Sequence, residues 1–213
     1  KPQISPTPIS AKGHFLRGAI ALAVNGVPIF NALNNRGEDA FLAGELDEWG
    51  GHCGRADDYH YHVAPFHLQS IVGKKSPIAY ALDGFPIYGE SEIDGKKVVG
   101  LDSLNGHFDA KKNYHYHGTK TFPYINGGFK GVVSEVSGQV DPQAATKAFR
   151  PAGEPLRGAS ITDFERYSES SYRLTYSINN EKYLINYSII DNSIHMQFTD
   201  PQGTTRTEVY QRP

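Results

Sequence analysis

The feature that most constrains this chain is an internal repeat, because a duplicated segment must fold the same way twice and changes how every motif is weighed. Ala21 to Phe30 (Ala-Leu-Ala-Val-Asn-Gly-Val-Pro-Ile-Phe) aligns with Ala79 to Tyr88 (Ala-Tyr-Ala-Leu-Asp-Gly-Phe-Pro-Ile-Tyr) at an offset of 58. Downstream, Leu46-Asp47-x-x-x-Gly51-His52 and Tyr59-His60-Tyr61-His62 align with Leu101-Asp102-x-x-x-Gly106-His107 and Tyr114-His115-Tyr116-His117 at an offset of 55. The half-repeats run over residues 19–68 and 77–124, inside a duplicated core of 15–130.

Each half opens with two apolar segments joined by Asn25-Gly26 or Asp83-Gly84, pairs that tolerate positive φ and favour a hairpin. In the first half Phe41, Leu42, Leu46 and Trp49 recur at helical spacing, so a short amphipathic helix is expected over Glu38 to Trp49. The second half holds Ser91 to Gly100 there, with Asp94-Gly95, which reads as a turn or small hairpin. A Gly-rich loop is expected over Asn126 to Gly131, then a short helix from Asp141-Pro142 to Phe149. Alternating Tyr172, Leu174 and Tyr176, then Tyr183 to Ile190, Ile194 to Phe198 and Thr204 to Tyr210, read as a four-strand antiparallel meander within 165–212 with one buried face. The reading is a single mainly β domain over 1–213, with antiparallel hairpins, a meander, a few short helices and a pseudo-two-fold repeat in the N-terminal two thirds.

Alternate side chains of a strand share a face, so His60 and His62 project together while Tyr59 and Tyr61 point the other way, and likewise His115 and His117 against Tyr114 and Tyr116. Two imidazoles so placed, with a third from a preceding loop, make a three-histidine face that leaves a metal coordination position open. His52 and His107 supply the third. One His-x-His pair alone would read as ordinary surface or hydrogen-bonded histidine; the same spacing twice shifts the reading to metal. Spacing does not decide between two separate sites and one shared site, although packing of pseudo-symmetric halves favours a shared or dinuclear centre.

Asp47 and Asp102 stand five residues before the first histidine of each half, where a carboxylate can ligate, fix an imidazole tautomer or cap a turn. The motif tyrosines read chiefly as core, with Tyr59 and Tyr114 also candidates for a general acid or redox partner beside the metal. Cys53 reads as a buried thiol, because Phe108 stands at the matching place. His14, His67 and His195 have no counterparts, and His195 falls on the polar face of a meander strand. Asp83 is explained by its turn. Imidazole-rich sites with few neighbouring carboxylates suit copper first and zinc second, and argue against calcium and magnesium. Open zinc would support hydrolysis and copper oxidation, so the reading leans to a metal-dependent oxidoreductase or hydrolase. A closed site would store, sense or deliver metal. Metal-independent His/Tyr acid–base action on an extracellular polysaccharide, and an adhesive or structural module, remain as competitors.

With 21 Lys+Arg against 23 Asp+Glu the formal charge is −2, which gives no footing for nucleic-acid phosphates. The longest apolar run, Ala19 to Val24, is far short of the roughly 18 residues a membrane helix needs. Thirteen Tyr and 11 Phe supply material for a core. The only Met is Met196, so a removed N-terminal segment is expected, and scarcity of Cys and Met fits exposure to oxidants.

The doubled Tyr-His-Tyr-His, with Leu82-Asp83-Gly84-Phe85-Pro86-Ile87-Tyr88-Gly89 ahead of its second copy, resembles the YHYH domain family over roughly residues 15–130. The resemblance implies a secreted or periplasmic bacterial protein and transfers no activity; the metal assignment rests on the histidines.

Overall fold

The computed structural model describes residues 2–54, 58–143, 148, 150–151, 153–154 and 156–211. The chain divides into two compact units, Lys1–Gly54 with Tyr59–Ala145, and Arg55–Asp58 with Thr146–Pro213. Among the described residues it is mainly β, with a 3-10 turn at Phe66–Leu68 running into one short helix, α1 (Gln69–Val72).

The first unit contains β1 (Ile4–Ser10), β2 (Ala19–Ala23), β3 (Pro28–Phe30), β4 (Gly51–Cys53), β5 (Tyr59–Tyr61), β6 (Ala79–Ala81), β7 (Pro86–Tyr88), β8 (Gly106–Phe108), β9 (Tyr114–His117), β10 (Gly128–Gly131), β11 (Ser134–Val136) and β12 (Gln139–Asp141). Eight of these form one sheet in the order β4-β5-β3-β2-β6-β7-β9-β8, which reads the same outwards from its centre in both directions. At that centre Leu22 faces Tyr80, flanked by Ala21↔Ala81 and Ala23↔Ala79, three pairs that the 58-residue offset maps onto one another. Asn25-Gly26 and Asp83-Gly84 make the expected hairpin turns, with Gly26 and Gly84 at φ 85° and 88°.

The sheet is not purely antiparallel. β5 joins β3, and β9 joins β7, in parallel, with Ile29 opposite Tyr61 and Ile87 opposite Tyr116. Parallel neighbours need a long crossover, and here the loops carrying β4 and β8 provide it. All four partnered side chains are buried, Ile29, Ile87 and Tyr116 at 0% exposure, and they join Phe15, Ile20, Ile78, Ile125 and Phe129 in one core.

The expected helix over Glu38 to Trp49 is absent. The Asp39 carboxylate accepts the Phe41 and Leu42 N–H groups, a single turn follows, and Gly44 at φ 71° ends it. Ala40 alone is fully buried there, leaving Phe41, Leu42 and Trp49 exposed, so no apolar stripe faces a core to hold a helix. The segment instead forms a small turn with Leu33 bridged to Asp39, and its counterpart in the second half is the expected small hairpin, with Ser91 bridged to Lys97. The expected Gly-rich loop is largely strand: β10 pairs with β1, and a Cβ on Gly128 would sit 2.1 Å from the Ile9 carbonyl oxygen. Glycine is there for close approach rather than for looseness. Asp141 ends β12, and most of the helix expected after it falls on residues 144–147 and 149, outside the described residues.

The second unit is an antiparallel meander of five strands, one more than expected: β13 (Ser160–Arg166), β14 (Ser171–Ile178), β15 (Glu181–Ile190), β16 (Ser193–Thr199) and β17 (Thr205–Gln211). One face carries Tyr172, Leu174, Tyr176, Tyr183, Ile185, Tyr187, Met196 and Phe198; Tyr172 stacks on Tyr187 and Tyr176 on Tyr183. Of these only Met196 is fully buried. Among the described residues no helix is long and apolar enough to cross a membrane.

Candidate metal centres

The loop Leu-Asp-x-x-x-Gly-His builds each centre. Asp47 Oδ1 accepts the N–H groups of Trp49 (2.9 Å) and Gly51 (3.1 Å), and Asp102 Oδ1 those of Leu104 (2.9 Å) and Gly106 (3.2 Å). The other carboxylate oxygen takes the hydroxyl of Tyr59 (2.8 Å) or Tyr114 (2.9 Å). Each tyrosine ring therefore folds across the glycine, where a Cβ would come within 2.7 Å of the Tyr59 ring at Gly51 and 2.2 Å of the Tyr114 hydroxyl at Gly106. With the loop clamped, β4 pairs with β5 and β8 with β9 so that His52 stands opposite His60 and His107 opposite His115. His62 and His117 follow on the same face.

The result is two clusters, His52-His60-His62 and Glu92-His107-His115-His117, each with its ligand atoms within 4.8 Å of one another. They lie on strand pairs at opposite ends of the sheet, β5 and β9 being five strand steps apart, roughly 24 Å along a sheet of about 4.8 Å spacing. A shared or dinuclear centre is excluded by that order, because the central hairpins stand between the two imidazole sets. His14, His67 and His195 join neither cluster.

Tautomers can be read from the backbone. A neutral imidazole has one N–H and one lone pair, and a carbonyl oxygen only accepts. His117 Nδ1 donates to Gly89 O (2.9 Å), His107 Nδ1 to Val99 O (3.0 Å) and His62 Nδ1 to Asn31 O. Their Nε2 lone pairs therefore point inward, the orientation that outer hydrogen bonds impose on metal-binding histidines. His62 Nε2 lies 3.1 Å from His52 Nε2, and His107 Nε2 lies 3.0 Å from His115 Nε2. Glu92 oxygens lie 3.2, 3.6 and 3.7 Å from the Nε2 atoms of His107, His115 and His117. With the His107 and His117 protons on Nδ1, their Nε2 lone pairs converge with the Glu92 carboxylate, an arrangement that a cation among them would stabilise. His117 Nε2 is buried with no hydrogen-bond partner, a costly state for a polar atom. Tetrahedral nitrogens at 2.0–2.1 Å from zinc stand about 3.3 Å apart, so the donor sets fit a small transition-metal ion.

Burial favours the neutral form of His62, His115 and His117. Desolvation pushes His62 down to about 4 and also lowers His115 and His117. His60, 5% exposed, stacks on Phe30 at 3.9 Å between ring centroids, and His115 meets Tyr88, the counterpart of Phe30, edge-on.

Tyr59, Tyr114, Asp47 and Asp102 lie on the face away from the imidazoles, in the clamps described. Burial, reinforced by the aspartate, raises both phenols well above the usual range and keeps them protonated. Tyr61, Tyr114 and Tyr116 are core, as the alternation predicts. Cys53 is exposed rather than buried, since it ends the edge strand β4. Asp83 does more than turn the chain: its carboxylate accepts the Tyr116 hydroxyl (2.6 Å) and the Gly131 N–H (2.8 Å), while Asn25 donates to the Tyr61 hydroxyl (3.1 Å) in the first half.

Glu92 is the residue the sequence reading misses. Extending the 58-residue offset beyond Tyr88 aligns Asn31 with Gly89, Asn34 with Glu92 and Gly37 with Gly95, and so points to it.

Residues 3–97 match the model of the family described as YHYH protein. No curated protein and no solved structure matches the chain. The matched stretch is shorter than the resemblance over 15–130 and ends ahead of the second tetrapeptide. The match over residues 3–97 takes in the first hairpin, the first Asp-to-Gly loop and the first Tyr-His-Tyr-His strand, and it supports the resemblance to the YHYH protein family.

Proposed function

We propose that this chain is a transition-metal-binding protein with two separate mononuclear centres, His52-His60-His62 and His107-His115-His117 with Glu92. The observation that carries the reading is the convergence of inward-facing Nε2 lone pairs, with His117 Nε2 buried and unpartnered beside a carboxylate. Neutral nitrogen donors suit copper or zinc; copper would support redox chemistry and zinc Lewis-acid chemistry. The residues orient the donors and exclude water from one side of each centre. The resemblance to exported proteins and the scarcity of Cys and Met support a secreted or periplasmic location.

Elemental analysis of protein purified without a metal-affinity column, beside a His60→Ala/His115→Ala double variant, tests the proposal. The expected result is copper or zinc approaching two ions per chain in the parent and loss of both in the variant. Metal-free parent protein that also fails to bind added copper or zinc overturns it.

A further inference from the structure

The two centres share their imidazoles and backbone but not their fourth position. At the second centre that position is taken by Glu92, whose carboxylate lies within 3.7 Å of all three Nε2 atoms. At the first centre the matching residue is Asn34, whose side chain is committed elsewhere. Its Oδ1 accepts the N–H groups of Arg36 (2.9 Å) and Glu38 (3.0 Å), and its Nδ2 donates to the carboxylates of Glu38 and Glu45 (3.2 and 3.3 Å). The Glu45 carboxylate is in turn held by the Arg36 guanidinium. Among the described residues no His, Cys, Asp or Glu atom completes the His52-His60-His62 set within 4.8 Å.

Resting on the two-centre reading, we infer that the centres divide the work: His107-His115-His117-Glu92 is a closed centre, and His52-His60-His62 is an open one that binds a small anionic donor from outside. Charge points to the class of ligand. A divalent ion held by three neutral imidazoles keeps its full charge of +2, whereas Glu92 reduces the net charge of its centre to +1. A small carboxylate or comparable monodentate anion is drawn to the first centre and meets a filled position at the second. Access does not separate the centres, since His52 and His107 both lie half-buried on edge strands and His62 and His117 are both buried, so the exchanged residue at positions 34 and 92 carries the assignment.

The test uses the full chain loaded with cobalt(II), whose visible bands report coordination, titrated with azide as the anionic probe. His52→Ala and His107→Ala, both on edge strands and away from the core, delete the centres one at a time. Azide is expected to change the bands of one of the two cobalt ions, an effect lost in His52→Ala and kept in His107→Ala. Glu92→Ala should add a second azide-sensitive ion. Two bound cobalt ions with azide acting on neither, on both, or only on the one removed by His107→Ala would overturn the division of work while leaving metal binding intact. Failure to bind cobalt at all would overturn both readings.

Discussion

The two halves of the first unit are nearly the same machine with one part exchanged. Each has an Asp-clamped loop, a tyrosine folded over a glycine, a backbone carbonyl fixing the last imidazole, and three imidazoles gathered at one point. Where the second half has Glu92 the first has Asn34, and where the second has Asp83 under Tyr116 the first has Asn25 beside Tyr61. The shared parts gather the histidines, and in our proposal the exchanged ones set the charge and openness of each centre. The two halves share the scaffold and differ at the residue we propose as the fourth ligand.

The largest effects should come from removing one imidazole at a time. His52→Ala is expected to abolish binding at the first centre and leave the second intact, and His107→Ala the reverse, read as ions per chain. Next, Ile29→Ala and Ile87→Ala remove matching fully buried side chains, and each should cost about 2–5 kcal/mol in denaturant unfolding. Unequal costs would show that the halves pack less alike than their strand order implies.

Glu92→Gln should weaken the second centre by at least the 10–100-fold that loss of an outer hydrogen bond to a ligand costs, with the first centre unchanged in a competition titration. Asp102→Asn and Asp47→Asn should each cost about 1–3 kcal/mol of stability through the tyrosine clamp. The Asp102 change should cost more because Tyr114 is buried and Tyr59 half-buried. Metal content should be kept in both; its loss would move these carboxylates into the site itself.

The smallest effect is a pH dependence confined to one half. Burial raises the Asp83 carboxyl above its ordinary 3.8, so the native state holds that proton more tightly than the unfolded chain does. Stability from this group is complete below 3.8 and falls as pH rises through the raised value. Asp83→Asn, which copies Asn25, should flatten that slope; an unchanged slope would assign it to another group.

Much of this was legible in the sequence because the repeat is local and periodic. The Asn-Gly and Asp-Gly turns, the alternation in Tyr-His-Tyr-His and both three-histidine sets follow from spacing alone. The separation of the centres did not, since it depends on β2 pairing with β6 and on the parallel additions of β5 and β9, which are long-range choices. Glu38 to Trp49 misled because helical spacing says nothing about whether a core lies beneath the stripe. Glu92 is hard to see because Ser91 to Gly100 reads as a turn of its own rather than as the counterpart of residues 33–42, although Gly37 and Gly95 mark the same turn.

The central claim is that two separate ions sit in two unlike centres. Anomalous diffraction from a crystal of the metal-loaded protein, measured at the copper or zinc edge, tests it most directly. The account predicts two peaks roughly 24 Å apart, one among His52, His60 and His62 and one among Glu92, His107, His115 and His117. A single peak shared by both histidine sets, or none at either cluster in protein shown to carry metal, would contradict it.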